Sequence, residues 1–539
     1  MASQGYYQSG PPPQNYGNAP QNYGMPGQPQ GYPPPQMQDQ SYNQAPPNYQ
    51  QNMPPPMNGS SPTPAYTADH KGEFTQAFKL EKPKWNDLWA LILLLLTFAG
   101  FVGISALVLS GYAAHRGQTG GGINNGSASQ FGLSSNTMIL FAFVLMLAFV
   151  LSYAYMWGAR VFTKQFIYIS FIFQVVMGLA TAIIMIARKY YVGGIIFLLF
   201  TVFYIFCFFS WRKRIPFSVL MLQTVIDVAK QHGHVFMVSF IGGVIATMFG
   251  AWFSVTLVGV YQKYSVGSPA CTSSSGCGSA KVIGLIVFIT FAGYWISEFI
   301  KNVIHTTVCG VYGSWFFMGG KPGGMPKGST RGAARRALTY SAGSIAFGSL
   351  ITALIQLLRQ ALSVASQTAA QDGNVVAVVL LCFVQCIVGF MDWAVQFFNE
   401  YAYTHIALYG KAYIPAAKDT WTMIKTRGID ALINDCLISP VLTMGATAIA
   451  YTCSFLAYLY LEFTNPAYND EKSYTPVVMA FAFLIGLQIA NIFLVPLKSG
   501  TATLFVAMAW DPEVLMTDHA DLYQRMVAVY PQVQQAIHA

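Results

Sequence analysis

One stretch of this sequence combines groups that could hold or pass on a charge. Within an apolar run, Glu298, Asn302 and His305 fall at i, i+4 and i+7, which sets a carboxylate, an amide and an imidazole on one helical face. Tyr294 and Trp295 precede them by about one turn. A carboxylate beside aromatic rings is suited to an organic cation, because the acid supplies negative charge and the rings supply cation–π attraction. Placing an ionised side chain at the centre of a bilayer costs about 2.5–3.5 kcal/mol on insertion scales, so such groups line a path or pair up. Lys301 offers the plainer alternative, an i,i+3 ion pair with Glu298. Other polar groups in apolar runs are Gln356, Arg359, Gln488 and Asn491, each of which could simply hydrogen-bond between helices. Trp252 lies deep in another apolar run beside Gly250, where it could pack or wall a pocket. The expected substrate site is Trp252, Tyr294, Trp295 and Glu298, with Gln356 and Asn491 orienting the solute.

The composition says what surrounds these groups. Charged residues make up only 9% of the 539 residues and apolar types 54%. Soluble domains carry about 25% charged residues, so most of this chain must face lipid or other helices. Enzyme signatures are missing: there is no GxxxxGK[ST], HExxH or GxSxG. The glycine-rich stretch Gly319–Gly324 lacks the Lys-Ser/Thr ending of a phosphate loop and reads as a flexible basic linker. The cysteines show no metal-ligand spacing. No catalytic residue, metal or cofactor is therefore expected.

Ten runs approach the roughly 20 residues needed to cross a ~30 Å hydrocarbon core: 88–112, 137–157, 166–187, 192–210, 235–260, 282–304, 339–361, 374–395, 436–461 and 475–497. Lipid offers no partners to open backbone groups, so each run should be a helix. The fold class is thus all-α, a polytopic membrane protein of about ten spans. Apolar character runs on from Val282 to Phe317. A single long or broken crossing there keeps Lys321, Lys327, Arg331, Arg335 and Arg336 on the cytosolic side, as the positive-inside rule requires. With both termini cytosolic, the inner segments hold 22 of the 29 Lys and Arg residues, whereas the outer loops hold six. The net charge of +9 is thereby referred to the membrane surface, and no nucleic-acid partner is expected.

Residues 1–84 form a cytosolic tail rich in Pro, Gln and Tyr, with 16 of the chain's 28 prolines before residue 67. That composition cannot bury enough apolar surface to order itself. The helical domain spans 85–497, and 498–539 is read as a cytosolic C-terminal segment. In the tail, Pro46, Pro47 and Tyr49 form a PPxY pattern of the kind WW domains bind. A WW-domain ubiquitin ligase is the partner it implies, and chance in a Pro/Tyr-rich tail is the alternative. Asn125-Gly126-Ser127 is a glycosylation sequon in the first outer loop. Cys271 and Cys277 share the third outer loop, where a disulfide is chemically permitted.

Longer strings are more specific. Phe397-Phe398-Asn399-Glu400-Tyr401-Ala402-Tyr403 leads to Ile406-Ala407-Leu408-Tyr409-Gly410-Lys411, then to Ala416-Ala417-Lys418-Asp419-Thr420-Trp421, and then from Gly428 to Asp435. With Ser344–Gln356, and with Ser499-Gly500-Thr501 through Trp510-Asp511-Pro512-Glu513, this order resembles the choline transporter-like family, and within it the fungal pH-nine-sensitive branch. The resemblance covers roughly residues 85–535. It implies about ten spans, cytosolic ends and, in some members, carriage of choline or a related cation. Animal members carry a long extracellular domain after the first span, whereas the loop here is only Ala113–Asn136. The strings after Phe397 fall on the cytosolic side, as an inner gate, a helical platform or an amphipathic connector. The expected function is carriage of a small, choline-like solute across the plasma membrane. The alternative is a non-transporting scaffold that recruits partners through its tail.

Overall fold

The computed structural model describes residues 84–114, 135–187, 189, 191–232, 234–264, 279–426, 433, 436–465, 475–531, 533 and 534. Pro46, Pro47, Tyr49, Asn125, Cys271 and Cys277 lie outside the described residues. Among the described residues all regular structure is helical. Every expected apolar run is a helix: α1 (Leu88–Ala114), α2 (Ser135–Val161), α3 (Thr163–Ala187), α4 (Tyr191–Trp211), α6 (His234–Tyr264), α7 (Ser279–Met318), α9 (Ala342–Gln371), α10 (Val375–Tyr409), α12 (Ile438–Thr464) and α13 (Thr475–Phe493). Between and after them run the shorter α5 (Ile215–Gln231), α8 (Ser329–Leu338), α11 (Tyr413–Thr426), α14 (Val495–Trp510), α15 (Pro512–Asp518) and α16 (Ala520–Val529). Among the described residues, eight helices are long and apolar enough to cross a membrane alone, and the bent pair Phe481–Phe493 and Val495–Trp510 can supply a ninth.

The outer faces explain why these helices need lipid. Leu95, Leu96, Ile172, Phe206, Phe209, Phe383 and Phe390 all present large apolar side chains outward. A continuous apolar exterior of that kind belongs against a membrane or a partner, not water. Trp85, Trp89 and Trp157 are likewise exposed.

The 40-residue α7 is a single helix, about 60 Å long at 1.5 Å per residue. It therefore runs well beyond a ~30 Å hydrocarbon core. It is the axis of the fold and packs against α1, α6, α8, α9, α10 and α14. α10 also outruns its expected span, continuing without a break through Phe397–Tyr403 to Tyr409.

α14 fills the space between α5, α7 and α10, and 14 of its 16 residues are buried. A helix surrounded on all sides by protein must be apolar all round, and α14 carries one charge, Lys498. It meets α13 at a bend of 47°. Pro496 sits in the first turn of α14, where its missing N–H leaves the carbonyl of Ile492 without its helical donor. Ser239 Oγ of α6 occupies that place, 3.0 Å from the Ile492 oxygen and 3.3 Å from that of Phe493.

The chain entering α1 is tied to the far end of the bundle. Asp87 Oδ2 accepts from Ser344 Oγ at 2.6 Å and from the Tyr413 backbone N–H at 2.9 Å. Asn86 Nδ2 donates to the Gly410 carbonyl at 2.9 Å. These contacts fix the turn between α10 and α11 against the start of α9.

Close approach of α14 depends on Gly500. A β-carbon there would lie 2.6 Å from Val225 Cγ1 and 2.7 Å from Tyr312 Cζ. Gly500→Val should therefore overpack the centre and cost about 1–3 kcal/mol. The readout is a lower midpoint of thermal unfolding in detergent; a midpoint equal to wild type would show that α14 does not hold the centre as described.

Candidate functional site

α7 turns a polar face toward α9, α10 and α14, and the i, i+4, i+7 series lies on it: Glu298, Asn302 and His305 are all buried. Together they reach all three of these helices. Asn302 Nδ2 donates to Ser349 Oγ at 2.9 Å on α9 and to Tyr403 Oη at 3.3 Å on α10. The His305 ring bridges two helices, with Nε2 2.9 Å from the Glu400 carbonyl and Nδ1 2.7 Å from Ser499 Oγ of α14. A carbonyl only accepts, so Nε2 carries the proton; in the neutral ring Nδ1 accepts from the Ser499 hydroxyl. Asn399 of α10 extends the network: its Nδ2 donates to Thr352 Oγ1 at 3.0 Å, and its Oδ1 accepts from Tyr413 Oη at 2.5 Å. Burial pushes the Tyr413 phenol up to about 12, so it remains a donor throughout the physiological range.

Charges are threaded through the same four helices. Glu298 pairs with Lys301 at 2.6 Å and accepts from Gln356 Nε2 at 3.3 Å. One level away, Arg359 of α9 pairs with the buried Asp392 of α10, whose other oxygen accepts from Gln396 Nε2 at 2.9 Å. Glu400 of α10 lies among the charges of Lys498 and Lys301. Asp392 and Glu298 are thus each paired with a cation. Removing one member of a buried pair typically costs about 3–5 kcal/mol, because the other is left uncompensated.

The expected site residues divide between this column and a neighbouring apolar wall. Glu298 and Gln356 meet directly. Trp295 is fully buried and donates Nε1 to the Ala346 carbonyl at 2.9 Å. Trp252 donates Nε1 to Ser105 Oγ at 2.6 Å and packs on Phe101, ring centroids 5.1 Å apart. Tyr294 joins both tryptophans in the apolar cluster of α1, α6 and α7. Asn491, half-buried on α13, shares no hydrogen bond with Glu298 or Gln356. The Glu298–Lys301 pair and the polar stripe, set against each other as alternatives, coexist.

The column also contains groups outside the expected list: Asn399, Glu400, Tyr403, Lys498 and Ser499. Spacing could have found some of them. Asp392, Asn399 and Tyr403 stand at i, i+7 and i+11, one face of a helix that continues past the predicted end of its span. Tyr413→Phe removes the donor to Asn399 Oδ1 while keeping the ring. The expected loss is about 1 kcal/mol of stability, seen as a lower thermal midpoint in detergent; no change would show that the bond contributes nothing.

Residues 195–513 match the family described as plasma-membrane choline transporter. Among curated relatives, the chain is 56% identical to Protein PNS1 of Neurospora crassa over 544 residues, covering 99% of this chain and 92% of that one. It is 55% identical to Protein PNS1 of Gibberella zeae over 482 residues, covering 89% of each. Protein PNS1 of Saccharomyces cerevisiae is 40% identical over 470 residues, 86% of this chain and 87% of that one. With a polytopic helical bundle and relatives of this identity along most of its length, the chain belongs to the choline transporter-like family.

Proposed function

We propose that this protein is a plasma-membrane carrier for a small organic cation of the choline type, with both termini in the cytosol. The observation that carries the reading is Glu298, a buried carboxylate in a membrane helix whose counter-ion is a lysine on its own helix, 2.6 Å away. Lysine is a compact point charge on a flexible stem, unlike the planar fork of arginine. Lys301 can therefore yield its place to a solute cation. Glu400, which already feels the charge of Lys301, receives it. The exchange leaves Glu298 with one cation at every stage, so that carboxylate is never stranded bare in the low-dielectric core. Tyr294, one turn from Glu298, offers the solute an aromatic face.

Alternation between the two sides follows from where the column's bonds lie. Asn302–Ser349 and Glu298–Gln356 join α7 to α9, and Asn302–Tyr403 joins α7 to α10. The hairpin α9–α10 is packed together along its length and can rock against α7 as a unit. The Lys and Arg residues concentrated on the proposed inner side, among them the exposed Lys321, Lys327, Arg331 and Arg335, support the orientation.

The test is labelled choline uptake in cells lacking other choline carriers, with surface expression confirmed. Wild type should give saturable uptake that unlabelled choline competes away. Glu298→Gln keeps the shape and removes the charge, and should lower kcat/KM by about tenfold or more, the scale of one charge-assisted contact. Uptake by the variant equal to wild type would remove Glu298 from the site, and background uptake by wild type would remove choline as the solute.

A further inference from the structure

Tyr409-Gly410-Lys411, Lys418-Asp419 and Trp510-Asp511, which lie within the strings that resemble the family, take no part in the polar column. In the structure they converge. α10 ends at Tyr409, and Gly410, with φ +65°, turns the chain sharply into α11. That left-handed turn, which favours glycine, folds Lys411 back over the helix end. The Lys411 ammonium lies 5.7 Å from the centre of the Tyr409 ring and 5.5 Å from that of Trp510, at the end of α14. Asp419 of α11 pairs with it. Asp511 accepts from Tyr409 Oη at 3.0 Å and so holds that ring in place.

The third wall is His405. Its ring is fully buried, with its centre 5.8 Å from that of Tyr409 and 5.8 Å from that of Trp510. Among the described residues neither ring nitrogen has a hydrogen-bond partner. A buried imidazole with neither nitrogen satisfied is costly for a fold to keep, and here it is one side of a box whose contents are a cation. Two aromatic rings within about 6 Å of an ammonium, with a carboxylate beside it, make the arrangement that recognises quaternary ammonium groups.

We propose that Tyr409, Trp510, His405 and Asp419 form a binding site for a trialkylammonium-type cation, and that Lys411 is its built-in occupant. The Lys411 side chain is 39% exposed, so the site opens to solvent and its occupant can leave. The box closes the ends of α10 and α14, the helices that carry Glu400, Lys498 and Ser499 further along, so an external cation in it contacts both elements of the column. The proposal takes its ligand class from the organic-cation reading of the carrier and places a second, self-competed station on its inner side.

The test uses purified full-length protein in nanodiscs and tetramethylammonium as probe, with binding measured by isothermal titration. Lys411→Gln removes the resident charge and should tighten binding by about tenfold, the scale of one displaced cation–π contact. Lys411→Arg keeps a cation in the box and should bind as wild type does. Adding Trp510→Leu to Lys411→Gln should abolish the gain. Equal binding by Lys411→Gln and wild type overturns the proposal, as does a gain that survives loss of Trp510. A second measurement needs no variant: saturating tetramethylammonium should expel the Lys411 ammonium and raise its rate of acylation, followed by mass spectrometry, at least twofold. An unchanged rate overturns the proposal. Choline uptake measured in parallel separates the two readings. Background uptake alongside a Lys411→Gln gain removes choline as the solute and leaves the box; normal uptake without that gain removes the box and leaves the carrier.

Discussion

Inside a bilayer a polar group has no water to turn to, and the whole of this structure follows from that constraint. It dictates helices, because only a helix satisfies its own backbone. It dictates the repair at the α13–α14 bend, where a serine from another helix takes the carbonyl that a proline has left bare. It also dictates the placing of charges in the interior, from α9 through α7 and α10 to α14. Each of these charged groups would be costly alone, and each lies beside a group of opposite sign.

Lysine has a particular part in this arrangement. At Glu298 and again at the Tyr409–Trp510 box, the group opposite the acid or the rings is a lysine, a mobile cation chemically akin to the solute proposed for the carrier. Arg359, by contrast, is set against Asp392. A fork-shaped guanidinium suits a fixed link and a flexible ammonium suits a replaceable one. Under the proposed carrier reading, the lysines are the partners that exchange.

Much of the fold was legible because lipid imposes a simple rule on sequence: a run of about 20 apolar residues is a helix. All ten runs are helices, and the single crossing from Val282 to Phe317 followed from the charges beyond it. The buried face of Glu298, Asn302 and His305 was also legible, because a period of 3.6 is visible without knowing what it faces. What could not be read was depth. Phe397–Tyr403 looked like a connector because its polar residues are too many for a lipid-facing helix, yet α10 carries them into the protein, where Asn302, Thr352 and Tyr413 receive them. Residues 498–510 followed the last apolar run and gave no sign that they fold back into the centre, because a fully buried helix has no amphipathic stripe to betray its neighbours. Trp252 and Trp295, expected in the substrate site, each commit the indole N–H to an oxygen of a neighbouring helix, a partner the sequence did not name.

The central place of α14 has a bearing on how the protein is made. Translation reaches the body of α14 only after all ten apolar runs have been synthesised. Until then the faces of α5 and α7 that carry Val225, Tyr312 and His305 have nothing to close on, and the bundle lacks its central helix. Its keystone is delivered after the long helices around it. A chain that stops before α14 would therefore contain every long helix yet lack a centre, leaving His305 without Ser499.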